Sequence, residues 1–323
     1  MNDVQFFIGP MSKNVVDTVI EFNSPSIGFI PSRRQIDFIG GYVNNWTTKE
    51  FSNYVNGRVV IERDHGGIGQ GFDYDDGYES FAHDTKYFDI VHVDPWIGYD
   101  NFDEGLEELI YYIEFIQHSA DNIFNNKKIK YEVGTEESIR RFETSELENM
   151  LSVLEKKLEP RIFENIEYVV VQSGVGLDLG KQVNTGVFDP DRLRNMVSVC
   201  KKFGKKSKEH NGDYLSTEEY KDRFDLGLDS INIAPEFGQL ETQCYVDEMG
   251  YEIEEFYKIC HDSKRWEKWV DPDFKHTEDN KKELIKICGH YVFSDERFLE
   301  IKPDIDLKIQ NVIKNKLKEL QNG

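Results

Sequence analysis

Four short stretches carry residues able to move protons or hold a metal ion: "ERDHGG" (62–67), "HVDPW" (92–96), "GTEES" (134–138) and "EHNGDY" (209–214). Among their ionisable members are Asp64, His65, Asp94, Glu136, His210 and Asp213. Two histidines with one or more carboxylates can hold a divalent ion such as zinc, manganese or iron. A free carboxylate beside such an ion can move a proton. An isolated Asp-His pair is also a common hydrogen-bonded turn. His92, inside the apolar run "IVHVD", is expected to be a satisfied core histidine. The joint pattern, recurring at several strand ends, is what favours a metal centre. "GGIGQG" (66–71) resembles a dinucleotide fingerprint only loosely and follows the wrong strand, so no nucleotide is expected. "DYDDGYE" (73–79) is expected to be a solvated acidic loop.

The elements that must position these residues follow a βα rhythm. Strand candidates are 4–8, 27–30, 58–62, 88–93, 129–133, 167–171, 205–210 and 229–234, with the polar "KKSKEH" (205–210) the least strand-like. Helical stretches fall at about 12–23, 47–55, 103–118, 144–158, 189–203 and 216–225. Ser12, Thr47 and Asp189-Pro190 are start signals. The connection 66–87 is expected to hold at most a short helix. Eight such repeats predict a (β/α)₈ TIM barrel, whose chemistry gathers at the carboxyl ends of its strands. The open doubly wound sheet is the alternative, but "IGPMSKN" (8–14) is not the phosphate loop it needs after its first strand. Beyond about residue 245 the pattern turns to amphipathic and charged helices. The expected organisation is a barrel catalytic domain over 1–245 and a helical C-terminal extension over 246–323. His261, His276 and His290 of that extension are expected to be surface or cap residues.

Composition sets outer bounds. The 323 residues are 38% hydrophobic and 13% aromatic, enough for a real core. A net charge of −22 disfavours sequence-independent nucleic-acid binding and anionic membrane surfaces. No run approaches a membrane helix, no signal peptide is visible, and the four cysteines form no CxxC pair. A cytoplasmic protein with reduced thiols is expected.

The strand ends, in this order, resemble a known family. "SRRQIDFIGGYVNNWTTKEFSNYV" (32–55), "VIERDHGG" (60–67), "VHVDPW" (91–96), "YEVGTEES" (131–138), "VVVQSGVGLD" (169–178) and "EHNGDYLS" (209–216) are collinear with motifs of one protein. It is the accessory, so-called non-catalytic, subunit of class II tagatose-bisphosphate aldolase. The resemblance covers about residues 5 to 245. That family is similar to the metal-dependent class II ketose-bisphosphate aldolases, which are barrels, and to related sugar epimerases. The resemblance implies a divalent metal, with zinc first and manganese or iron as alternatives. It implies Asp64 as proton carrier, His65 and His210 as ligands, and Glu136 as a third ligand or a carboxylate behind them. "SINIAPEFG" (230–238) resembles the aldolases' substrate loop, giving Asn232 a substrate contact. Asp94 is a second catalytic candidate, and Arg33, Arg34, Arg63, Gln172 and Asp213 are candidates for substrate or phosphate. Arginine suits a phosphate or carboxylate clamp, although Arg33-Arg34 also reads as a surface pair.

The chain departs from the family where Glu62-Arg63 replaces two glycines, a change expected to bring extra charge to the barrel mouth. Pro95-Trp96 is expected to reshape the pocket. The activity expected is aldol or retro-aldol chemistry on a ketose phosphate or related sugar. Epimerisation of a ketose or ketouronate at the same site is one alternative, and a barrel supporting a separate aldolase subunit is another. The expected partners are a small sugar or sugar phosphate and a homo-oligomer or aldolase partner.

Overall fold

The computed structural model describes residues 4–270, 277 and 280–322. Eight parallel strands form the barrel: β1 Phe6–Ile8, β2 Ile27–Phe29, β3 Glu62–Gly66, β4 Ile90–Val93, β5 Lys130–Val133, β6 Ile166–Val171, β9 Lys206–Glu209 and β10 Ser230–Ile233. Their order is β2-β1-β10-β9-β6-β5-β4-β3. Parallel bridges Phe29↔Ile61 and Ser32↔Asp64 join the two end strands and bring the sheet round to a nearly closed barrel. An antiparallel hairpin absent from the sequence reading, β7 Val175–Asp178 and β8 Val183–Gly186, is inserted after β6.

The helices begin where capping chemistry allows. Ser12 caps α1 (Lys13–Phe22), and Thr47 with Glu50 forms a capping box on α2 (Thr48–Val55). Asp189 caps α7 (Pro190–Lys202), with Pro190 in the first turn. Ser216 and Glu219 close a second box on α8 (Thr217–Asp225). The connection 66–87 ends in a full ten-residue helix, α3 (Tyr78–Tyr87), longer than expected. Its side chains Phe81, Asp84 and Thr85 are buried, so tertiary packing selects a helix that the sequence periodicity hardly signals.

The last helices pack on the barrel's outer layer. Helix α9 (Pro235–Glu248) runs unbroken across residue 245. Helix α13 (Asp306–Asn322) buries Ile309, Ile313, Leu317 and Leu320 along one stripe, against α1 and α9. Among the described residues no helix is long and apolar enough to cross a membrane. His261 is half-buried, and His276 lies outside the described residues. His290 corrects the surface expectation: it is 1% exposed, packed against Gly238 between Tyr42 and Tyr291.

Candidate active site

Strand β3 does not end at Glu62, as expected; it begins there and runs through the charged residues. Side chains alternate faces along a strand, so Glu62 turns into the barrel and Arg63 turns out. Between Arg63 and Gly66 the pairing with β4 slips by one residue. This is a bulge, and His65 takes a left-handed φ of 42° within it. The extra residue lets Asp64 and His65 both reach the cavity at the mouth, where strict alternation would have turned one away. The glycines that follow answer to packing. A Cβ on Gly66 would lie 2.4 Å from the Phe81 ring and 2.9 Å from the His92 carbonyl oxygen.

Three histidine rings meet at this point, from β3, β4 and the end of β9, with centroids 4.8–5.0 Å apart. His65 Nδ1–H donates to Asp94 Oδ2 at 2.7 Å, which turns Nε2 into the cavity. His210 Nε2–H donates to Glu132 Oε1 at 3.2 Å, which turns Nδ1 the same way. The two inward nitrogens are 3.2 Å apart. Asp64 Oδ1 lies 3.6 Å from the first and 3.7 Å from the second, and it is buried with no hydrogen-bond partner.

This donor set fits a divalent ion. Two imidazole nitrogens bound to zinc at about 2.0–2.1 Å in tetrahedral geometry lie roughly 3.3 Å apart. The field also favours positive charge: burial lowers the His65 pKa, but the Asp64 and Asp94 carboxylates outweigh it and push it up to about 10. His92 belongs to the same cluster, within 4.8 Å. Its ring is already engaged on both sides, accepting from the His65 N–H at Nδ1 and donating from Nε2 to the Gly134 carbonyl. Burial holds its pKa down near 4. It is a neutral wall, hydrogen-bonded as the sequence reading expected.

The other candidates fall into three groups. Asp94 is fully buried, and its Oδ2 also accepts from the Thr135 hydroxyl at 2.8 Å. It positions His65 and does not line the cavity. Glu136 does line it, but both its oxygens are occupied, by Ser138 and by the Asn211 amide at 2.6 Å. Burial raises its pKa, while the His65 and His210 charges and these bonds bring it below the usual range. Asp213 lines the cavity and accepts from the Ala234 and Glu236 N–H groups, holding the start of α9. Burial and the Glu236 charge push its pKa up to about 7. Asn232 faces the cavity with neither amide atom paired. Arg34 lines it too, with Nε bonded only to the Gly71 carbonyl.

Three expected substrate contacts are corrected. Arg63 is fully buried, forked onto Asp84 at 2.7 and 2.8 Å, and spends Nη1 on the Pro31 and Ile36 carbonyls. Arg33 is saturated by Asp37, Asp75 and the Gly67 carbonyl, pinning the glycine loop to the β2 loop. Gln172 is spent on the Phe142 N–H and the Thr135 and Arg140 carbonyls. The expected extra charge at the mouth is absent as well. Glu62 points inward to the Lys208 ammonium, 2.6 Å away, and Lys208 also reaches Glu132 at 2.8 Å. Trp96 is buried against Gly105 and Phe142, away from the cavity.

The sequence reading missed Glu132 and Lys208 beneath the site. Their signal was parity: Lys208 and His210 share a face of "KKSKEH", and a lysine on an interior face needs a buried carboxylate opposite. It also missed Lys268 and Tyr291, from segments with no motif, and Tyr42 within the 32–55 stretch, all of which line the roughly 300 Å³ cavity.

No protein-family model and no curated protein matches the chain. Solved structures do. A protein described as a "probable tagatose 6 phosphate kinase" from Sinorhizobium meliloti 1021 superposes with a TM-score of 0.73 at 12% identity, over 98% of this chain and 99% of that one. The fructuronate-tagaturonate epimerase UxaE from Cohnella laeviribosi gives 0.61 at 12% identity, over 100% and 82%. Fructose-bisphosphate aldolase from Campylobacter jejuni gives 0.52 at 13% identity, over 99% and 90%. The fold is shared with all three. The aldolases and the epimerase to which the sequence resemblance points are thus among the structural neighbours of this barrel.

Proposed function

We propose that the barrel mouth carries out metal-assisted retro-aldol chemistry on a ketose or ketose phosphate, releasing the fragments or rejoining them as an epimer. The observation that carries this reading is Asp64: a carboxylate oxygen buried without a partner, beside two oriented imidazole nitrogens, at the carboxyl ends of the strands. His65 and His210 would hold the ion, and Asp94 and Glu132 fix their rings. A divalent ion, when bound, supplies a Lewis acid to the ketose carbonyl oxygen.

Asp64 takes the proton from the hydroxyl on the carbon β to the carbonyl. The O–H electron pair becomes the new aldehyde C=O as the C–C bond breaks, and the bond's electrons pass to the carbonyl-bearing fragment. If that fragment is protonated and both products leave, the reaction is cleavage. If the aldehyde turns its other face and the bond re-forms, Asp64 returns the proton and one carbon is inverted. Asn232, with both amide atoms open, is placed to hold substrate hydroxyls.

Metal-loaded protein, incubated with ketose phosphates, bisphosphates and ketouronates and followed by NMR, should give aldehyde fragments or an isomer of equal mass. Asp64→Asn should lower turnover by about 10²–10⁴-fold while metal stays bound. His65→Ala should lose both metal and turnover. Less than about a tenth of an equivalent of divalent metal after supplementation, or ATP consumption with an unchanged carbon skeleton, would sink the proposal; ion binding at this site is expected near one equivalent. A barrel serving only as support for another subunit would show unchanged metal content and no turnover in any variant.

A further inference from the structure

Opposite Asp64 and the two histidines, the segment after α10 (Ile253–Ser263) reaches the barrel mouth. A second hollow of about 290 Å³ opens there, sharing Arg34, Tyr42, Lys268 and Tyr291 with the first cavity. Four cations line it, Arg34, Lys264, Arg265 and Lys268, against one carboxylate, Glu267. The chain as a whole carries −22, so this cluster runs against its composition.

The way these cations are held matters more than their number. Among the described residues no carboxylate forms an ion pair with Arg34, Arg265 or Lys268. Arg265 lies over the rings of Phe72 and Tyr42, at 4.8 and 5.3 Å, and donates to the Tyr291 carbonyl. Lys268 lies 4.2 Å from the Trp269 ring centroid. Aromatic faces and carbonyls orient a cation without cancelling its charge. Burial, and next the Arg34 charge, hold the Lys268 pKa down to about 8, against an upward pull from the Glu136 carboxylate. Arg33, the neighbour of Arg34, shows the opposite arrangement, with two carboxylates on one guanidinium.

We propose that Arg34, Arg265 and Lys268 form a binding site for a second, anionic end of the substrate, a phosphate ester or a carboxylate, with the carbonyl at Asp64. The inference deepens the retro-aldol reading and rests on it only for the carbonyl end. The charge cluster, and the absence of a nucleotide-type glycine loop, fit a compact terminal anion. A guanidinium pair offers planar donors to either a phosphate or a carboxylate, and Lys268 adds a point charge. The C-terminal segment then sets which sugars are accepted, since Arg265 and Lys268 both come from it.

The test is calorimetric titration of the full-length protein with glycerol 3-phosphate, glycerate and glycerol. At least one anion should bind tenfold or more tightly than glycerol. Lys268→Gln and Arg265→Gln should each weaken that binding at least fivefold, with unchanged circular dichroism. Whichever anion wins separates a phosphate ester from a carboxylate. Asp64→Asn should bind the same anion as tightly as the wild type, so loss of turnover and loss of anion binding are read independently. Anions that bind no better than glycerol, or that bind both cation variants as tightly as the wild type, would overturn the proposal.

Discussion

The interior of the barrel and its mouth hold similar residues under opposite rules. Inside, Lys208 has no exposure, lies between Glu62 and Glu132, and rests over the Phe7 and Tyr168 rings at 4.0 and 4.6 Å. At the mouth, Asp64 and Asn232 keep buried polar atoms with no partner, and among the described residues no carboxylate forms an ion pair with Arg34 or Lys268. An unmade buried hydrogen bond costs about 1–3 kcal/mol, so folding alone gives no reason to leave these open. The interior set shares one ammonium between two glutamates, and Glu62 Oε1 and Glu132 Oε2 are buried there without a hydrogen bond. The mouth set is held from behind, with His65 on Asp94 and His210 on Glu132, and its front is left for a ligand.

The contrast is sharpest in stability. Lys208→Met removes the ammonium shared by two buried glutamates and should cost about 3–5 kcal/mol in urea unfolding. A loss under about 1 kcal/mol would mean that Lys208 does not hold the two glutamates in place.

Glu241 tests a buried carboxylate of a third kind, held by the Ser12 hydroxyl and the Asn14 amide without a cation. Burial pushes its pKa up to about 7. The folded state then binds the proton more tightly than the unfolded chain, so this stability is full below pH ~4.5 and is lost as pH rises through about 7. The loss is on the order of 3 kcal/mol. Unfolding midpoints at pH 4.5 and 8 should converge in Glu241→Gln, apart from the similar share of Asp213; equal slopes in both proteins would refute the assignment.

Asp94→Asn weakens the support behind His65, along with the bonds from the Thr135 hydroxyl and the Trp96 N–H. It should lower metal affinity about 10–100-fold with a smaller effect on folding. An unchanged metal affinity would remove Asp94 from the site.

The smallest expected effect is on Arg34. Arg34→Gln should change unfolding stability by no more than about 0.5 kcal/mol. A large loss would place it with Arg33, as a strut.

Much of this was legible beforehand. Alternating strands and helices gave the barrel and the stretch of α8, and N-cap residues placed α1, α2 and α7. Asp64, His65 and His210 converge as expected, because strand ends in a barrel share one rim. The failures have physical reasons. Arg63 looked like a clamp because it sits beside Asp64, but one step along a strand reverses the face, and Asp84 from α3 captures it. "KKSKEH" looked too polar for a central strand because its partners, Glu62 and Glu132, are 146 and 76 residues away in sequence; the first separation is the one the Lys208–Glu62 bond spans. Lys268 and Tyr291 belong to no motif, and only the path of the C-terminal segment brings them to the site.

By itself, the sequence determined the periodicity, the caps and the residue types available at each strand end, since these depend on neighbours a few positions apart. Tertiary structure alone decided which of those residues face a ligand and which face each other. A one-residue bulge at His65 turns two adjacent side chains to the same cavity, and charges from distant strands either meet or do not. Partnering is a property of three-dimensional distance, and it separates a strut such as Arg33 from an open charge such as Arg34.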